Sequence, residues 1–142
     1  MSTGTLEFER TYNAPISKTW AAITDKGQMK EWYFNLDEFK PEVGFKFSFL
    51  GGPPDGEQFL HVCEILEVIP GKKLSHSWRY DGFEGNSTLT WELFDEGDKT
   101  RLKLTHTGLD TFPADRPEFV ISNFNEGWTH ILGIGLKDYL EK

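Results

Sequence analysis

Five runs of alternating residues between positions 44 and 107 restrict this chain more than anything else in its sequence. GFKFSFL (44–50), EQFLHVCEILEV (57–68), KLSHSWRY (73–80), STLTWELF (87–94) and TRLKLTHT (100–107) each repeat with period two, the pattern of strands with one buried face. The connections are short and rich in turn formers: GGPPDG (51–56), Pro70-Gly71, DGFEG (81–85) and DEGDK (95–99). Such turns join antiparallel neighbours, so a meander of hairpins is expected. A slip of one residue would send every side chain to the wrong face. Aligning the apolar sets therefore predicts Trp91 opposite Leu104, Leu89 opposite His106 and Trp78 opposite Leu89. One face then carries Phe45, Phe47, Phe49, His76, Trp78, Trp91 and His106, and the other Ser, Thr, Lys, Arg and Glu. The run at 57–68 alternates in both phases, Leu60/Val62/Leu66/Val68 and Phe59/His61/Cys63/Ile65. Pairing with the phenylalanine strand favours the second set inward.

The flanking segments complete a two-layer arrangement. Leu6, Phe8 and Tyr12 alternate with Glu7, Glu9 and Thr11 and add a sixth strand. At Asn13-Ala14-Pro15 the period changes; proline suits a first helical position, and Ile16, Trp20 and Ile23 share one helical face. Asp25 to Gln28 resembles a capping box for a second short helix bearing Met29 and Trp32. The end of the chain reads as one long helix, capped by Asp115 with Glu118 three residues on. Roughly 25 residues at ~1.5 Å each cross a whole sheet. Val120, Phe124, Trp128, Ile131, Leu132, Leu136 and Tyr139 form its apolar stripe. Gly127, Gly133 and Gly135 interrupt it, each at a cost of roughly 0.8–1 kcal/mol relative to alanine. Gly135 falls within the stripe, Gly127 at its edge and Gly133 on the solvent side. Two readings of Gly135 stay open: close approach of a bulky aromatic to the helix backbone, or a cavity beneath the helix. The expected class is α+β, a curved antiparallel six-stranded sheet with two short helices and one long C-terminal helix packed across it. Residues 1–142 form a single domain in this reading.

Composition narrows the partners. Twenty-three acidic against 15 basic residues leave a net charge of −8, which repels phosphate backbones and anionic lipid heads, so neither nucleic acid nor a membrane is an expected partner. Cys63 is the only cysteine, which rules out an internal disulfide and fits a reducing, cytoplasmic setting. The opening MSTGTLEFER lacks the basic-then-apolar pattern of a signal peptide, and no stretch approaches 18 consecutive apolar residues. Twelve Phe, five Trp and four Tyr are a heavy aromatic load, enough for a dense core or a lined pocket.

The reactive residues form no familiar catalytic pattern. GxSxG, P-loop, GxGxxG and HExxH sequences are absent. His61, His76 and His106 can all face inward, but strand spacing keeps His76 and His106 on the order of 10 Å apart. Zinc takes its ligands at ~2.0–2.3 Å, so neither a metal nor a cofactor is expected. Cys63 has no neighbouring cation in this reading to activate its thiol.

The order strand, two short helices, antiparallel strands and closing helix is that of the helix-grip fold. NAPISKTWAAITD (13–25), EWYF (31–34), VGFKF (43–47), LEVIPGKKLSHSW (66–78), STLTWELFDEGDKTRLKLTHTGL (87–109) and GWTHILGIGLKDYL (127–140) resemble the START/Bet v 1-like superfamily. The branch is the one similar to the C-terminal domain of the activator of the heat-shock protein 90 ATPase. This resemblance implies a cavity under the long helix for an apolar small molecule, lipid-like or polyaromatic. Cys63 stands where the family commonly has glycine, which narrows such a cavity locally. The expected site comprises Phe45, Phe47, Phe49, Cys63, Trp78, Trp91, Phe124, Trp128 and Gly135, with His76 or His106 orienting a polar end. GLDTFPADRPEF (108–119) is a candidate gate. A monomer without enzymatic activity is the leading expectation; a chaperone-associated interaction module is the second and a cofactor-free enzyme the third.

Overall fold

In the computed structural model, residues 4–33, 36, 38–51, 58–113, 119 and 121–141 are described. The strands are β1 (Leu6–Tyr12), β2 (Lys46–Gly51), β3 (Phe59–Ile69), β4 (Lys73–Tyr80), β5 (Ser87–Asp95) and β6 (Thr100–Thr107). They form one antiparallel six-stranded sheet in the order β1-β6-β5-β4-β3-β2. Helices α1 (Ile16–Thr24) and α2 (Lys26–Trp32) follow β1. Helix α3 (Ile121–His130) runs through a π-helical turn (Ile131–Leu136) into α4 (Lys137–Glu141), and the three together form the C-terminal helix. The helix-grip expectation is met.

The register agrees with the apolar alignment at Trp91–Leu104 and Leu89–His106. Trp78 is a correction: it lies opposite Ser87, and Leu89 pairs with His76 instead. The shift is two residues, so the facing is kept and the row is changed. His76, Leu89 and His106 now form one row across three strands. In β3, Phe59, His61, Cys63 and Ile65 are buried, as the pairing with β2 requires. The other phase is apolar without being buried: Leu60 is 38% and Leu66 47% exposed. A bulge between Ile65 and Glu67 inserts Leu66 as an extra residue, after which Val68 pairs with buried Leu74. A bulge of this kind bends the strand and strengthens its twist.

Pro15 sits at the N-cap of α1 with extended ψ, one position before the first helical residue. Thr19, Ala22 and Ile23 are the buried face of α1, while Ile16 and Trp20 are only half-buried. Asp25 caps α2 by accepting from the Gln28 amide at 3.2 Å. The reciprocal half of a capping box is missing, because the Gln28 side chain accepts from the Tyr139 hydroxyl at 3.0 Å. The proposed cap pair Asp115 and Glu118, Val120, and most of the GGPPDG turn lie outside the described residues.

The C-terminal helix solves a geometric problem that the sequence pattern conceals. Its buried positions are Phe124, Trp128, Leu132, Leu136 and Leu140, a strict spacing of four. On an α-helix that spacing drifts by about 40° per step, roughly 160° over the series, which would rotate the last residues off the sheet. The π-helical turn adds residues per turn and takes up part of that drift. Wider winding displaces carbonyls from the usual ladder; the buried Tyr12 hydroxyl donates to the Leu132 carbonyl at 2.7 Å. Lys18 Nζ donates to the Leu140 carbonyl at 3.0 Å and Glu141 accepts from the Asn13 amide at 3.0 Å, fastening the helix end to the β1–α1 corner. Among the described residues, no helix is long and apolar enough to cross a membrane.

Candidate functional site

The inner face of the sheet and the helices above it enclose an aromatic interior. Phe47, Phe49, Cys63, His76, Trp78, Trp91, His106, Phe124 and Trp128 are all buried there. Phe45 precedes β2 and is half-buried against this core. Their rings are in direct contact: Trp128 lies 5.5 Å from Trp78, 6.0 Å from Trp91 and 6.4 Å from Tyr33, centroid to centroid. A second aromatic cluster, unremarked in the sequence pattern, joins Phe59, Tyr80, Phe83, Phe112 and Phe119 at centroid distances of 4.6–6.0 Å. Part of the aromatic load is thereby spent on packing rather than on a pocket. Gly85, with φ of +106°, turns the chain beside this cluster, where a Cβ would come within 2.7 Å of the Thr111 carbonyl.

Among the described residues, a small void of about 10 Å³, room for a single water, is lined by Ile23, Met29, Trp32, Tyr33, Phe39, Phe47, Leu74, His76 and Trp91. It lies between the sheet and the α1–α2 segment, and no residue of the C-terminal helix lines it. Only Phe47, His76 and Trp91 of the expected site residues reach it. Met29 and Trp32 carried a signal, apolar residues at helical spacing after the Asp25 cap; Phe39 carried none.

A second space lies outside it. Glu31, Trp32, Tyr33, Gly135, Asp138 and Tyr139 line an open cleft of about 460 Å³ between α2 and the C-terminal helix. Trp32 and Tyr33 belong to both linings and form the wall between them. Gly135 is where helix approaches helix: a Cβ there would stand 3.1 Å from the Trp32 carbonyl oxygen. The close neighbour is the backbone of helix α2, where the close-approach reading expected an aromatic from the sheet. Gly127 is exposed and its added Cβ meets no atom within 4 Å. We expect Gly127→Ala to raise stability by about 0.8–1 kcal/mol, read as the midpoint of chemical unfolding. Gly135→Ala is expected to lack that gain, because its methyl group presses on fixed backbone.

The histidines are tied into the interior by hydrogen bonds that fix their tautomers. The Trp128 indole N–H donates to His106 Nδ1 at 3.1 Å. His106 Nε2–H then donates to Ser87 Oγ at 2.8 Å, and that hydroxyl donates to the Trp78 carbonyl at 2.7 Å. His76 uses Nδ1–H on the Ser77 carbonyl at 2.9 Å, and its Nε2 accepts a long 3.4 Å bond from the Trp91 indole. His61 donates from Nδ1 to the Phe59 carbonyl at 2.9 Å. Burial, which penalises the imidazolium, lowers the pKa of His61 and His76 to about 4 and of His106 to about 3. All three are neutral at pH 7. Burial also pushes the Cys63 thiol far up, opposed by a smaller effect of Arg79, so it holds its proton. Among the described residues, no three His, Cys, Asp or Glu side chains gather as metal ligands.

Among the histidines only His76 lines the void, and its Nε2 lone pair is held by a long 3.4 Å bond. His106 stands behind Trp128, where a ligand would first have to displace an indole.

Comparison with known proteins agrees with this geometry. The family profile described as Activator of Hsp90 ATPase homolog 1-like protein matches residues 13–141. Among solved structures, the chain is similar to protein CV1439 from Chromobacterium violaceum, at 21% identity and a TM-score of 0.82, with 98% of each chain covered. It is similar also to MLL2253 from Mesorhizobium loti, at 27% identity and a TM-score of 0.77, and to Mll3558 from Rhizobium loti, at 24% and 0.82, each with 96% of both chains covered. No match is found among curated proteins. The chain belongs to the Activator of Hsp90 ATPase homolog 1-like family, within the START/Bet v 1-like superfamily.

Proposed function

We propose that this protein binds a small hydrophobic molecule, lipid-like or polyaromatic, between the sheet and its helical cover. The observation that carries the reading is the shared lining: Trp32 and Tyr33 border both the inner void and the open cleft. Rotation of the half-buried Tyr33 side chain joins the two spaces, and the apolar part of the ligand then lies against Phe47, Leu74 and Trp91. Burial supplies affinity at ~25 cal/mol per Å² of apolar surface. His76 Nε2 accepts from a ligand hydroxyl in place of its long bond to Trp91. Phe45, Phe49, Cys63, Trp78, His106, Phe124, Trp128 and Gly135 form the surrounding shell. Titration with naphthol and with a medium-chain alcohol, followed by tryptophan fluorescence, tests this. Saturable quenching that weakens severalfold in His76→Phe for the hydroxylated probes is expected; no saturable change with either class overturns the reading.

The family match favours a second reading, contact with a heat-shock protein 90 chaperone. The net charge of −8 would steer the chain onto a basic partner surface, so binding should weaken with salt. A pull-down with a purified chaperone homologue across salt concentrations distinguishes it, and absence of salt-sensitive binding removes it.

A further inference from the structure

The outer cleft has a chemistry that an apolar ligand leaves unused. Glu31, at the C-terminal end of α2, and Asp138, in the first turn of α4, are exposed carboxylates on its two sides. Trp32 places its main-chain carbonyl beside Gly135, and carbonyls at the C-terminal end of a helix carry negative partial charge. Tyr33 and Tyr139 supply the aromatic part of the lining. No lysine, arginine or histidine is among the six lining residues. Lys137, next to Asp138, is engaged by Glu141 at 2.8 Å. The negative field is felt at Tyr139, whose phenol pKa is raised by burial first and then by the charges of Glu31 and Asp25.

We infer that this cleft receives an organic ammonium group, so that the ligand is an aromatic or amphiphilic amine whose apolar part passes Tyr33 into the interior. The inference rests on the proposed apolar site and adds to it the sign of the ligand's charge. Carboxylates and aromatic rings both favour a weakly hydrated cation, and an anionic head would face Glu31 and Asp138 as like charges.

Three probes of nearly constant shape test it: benzyltrimethylammonium, its uncharged isostere neopentylbenzene, and benzylsulfonate. Each is titrated into the full chain at low ionic strength and followed by the amide shifts of Gly135 and Tyr139. The cation is expected to bind roughly five- to tenfold more tightly than the isostere, and the anion most weakly. In the E31Q/D138N double variant the preference falls to within about twofold, whereas E64Q, on the outer face of β3, preserves it. Both double-variant positions are exposed, and a thermal melt checks that folding is retained. An isostere that binds as tightly as the cation, or a preference that survives the double substitution, overturns the inference and leaves the apolar site standing. No response to any probe overturns both.

Discussion

Trp128→Ala is expected to lower the unfolding free energy by about 3–5 kcal/mol, the range for deleting a large aromatic from a packed core. The indole is 3% exposed and touches rings from β4, β5, β6 and the end of α2. It is also the donor at the head of the chain Trp128–His106–Ser87–Trp78 carbonyl. Trp128→Phe keeps most of the apolar surface and removes only that donor, leaving His106 Nδ1 buried without it. Its expected cost is smaller, about 1–3 kcal/mol. Denaturant unfolding of the two variants separates packing from hydrogen bonding. A Phe variant as stable as the parent would contradict the tautomer assigned to His106.

The second large effect is on acid stability. His61, His76 and His106 titrate near pH 4, 4 and 3 in the folded chain, against 6.5 ordinarily. Their folded pKa values are depressed, so as pH falls through 6.5 the unfolded chain takes up protons that the folded chain refuses. Stability is therefore full above pH 6.5 and falls on acidification towards pH 4. The slope is about 1.4 kcal/mol per pH unit for each histidine, or ~4 kcal/mol for three. Against a total of order 5–15 kcal/mol, roughly one to four pH units of acidification exhaust the stability, which places acid unfolding between about pH 5 and about pH 3. Circular dichroism against pH measures the midpoint, and replacing His76 and His106 by glutamine should move it downward. A midpoint unchanged by those substitutions would show that the histidines are not the cause.

Most of the architecture was legible because it follows from periodicity. Alternation fixed which residues of β4, β5 and β6 face inward, and turn chemistry fixed their antiparallel order. The Trp78 row was misplaced by two residues because period-two patterns determine facing and not row. The double phase of 57–68 has two sources: the bulge at Leu66 brings Val68 opposite buried Leu74, whereas Leu60 and Leu66 are apolar residues left exposed. Leu140 escaped the helical stripe for a related reason: an ideal 100° step takes no account of a π-helical turn. The site was less legible. His76, Phe47 and Trp91 were found because they stand on regular strands, whereas Tyr33 and Phe39 lie beyond the end of α2, where no periodicity applies. Helical position already sets Gly135, within the apolar stripe, apart from Gly127 at its edge, and the approach of the Trp32 carbonyl supplies the physical reason.

In the proposed site, Trp32 and Tyr33 act as a removable wall between cleft and interior. Naphthalene, titrated into isotopically labelled protein and followed by side-chain NMR, tests it most directly. Saturable shifts at Phe47, Leu74 and Trp91 as well as at Tyr33, faster in onset for Tyr33→Ala, are the predicted result. Shifts confined to the cleft residues Tyr139 and Gly135, with Phe47 and Trp91 unmoved in both proteins, would contradict it.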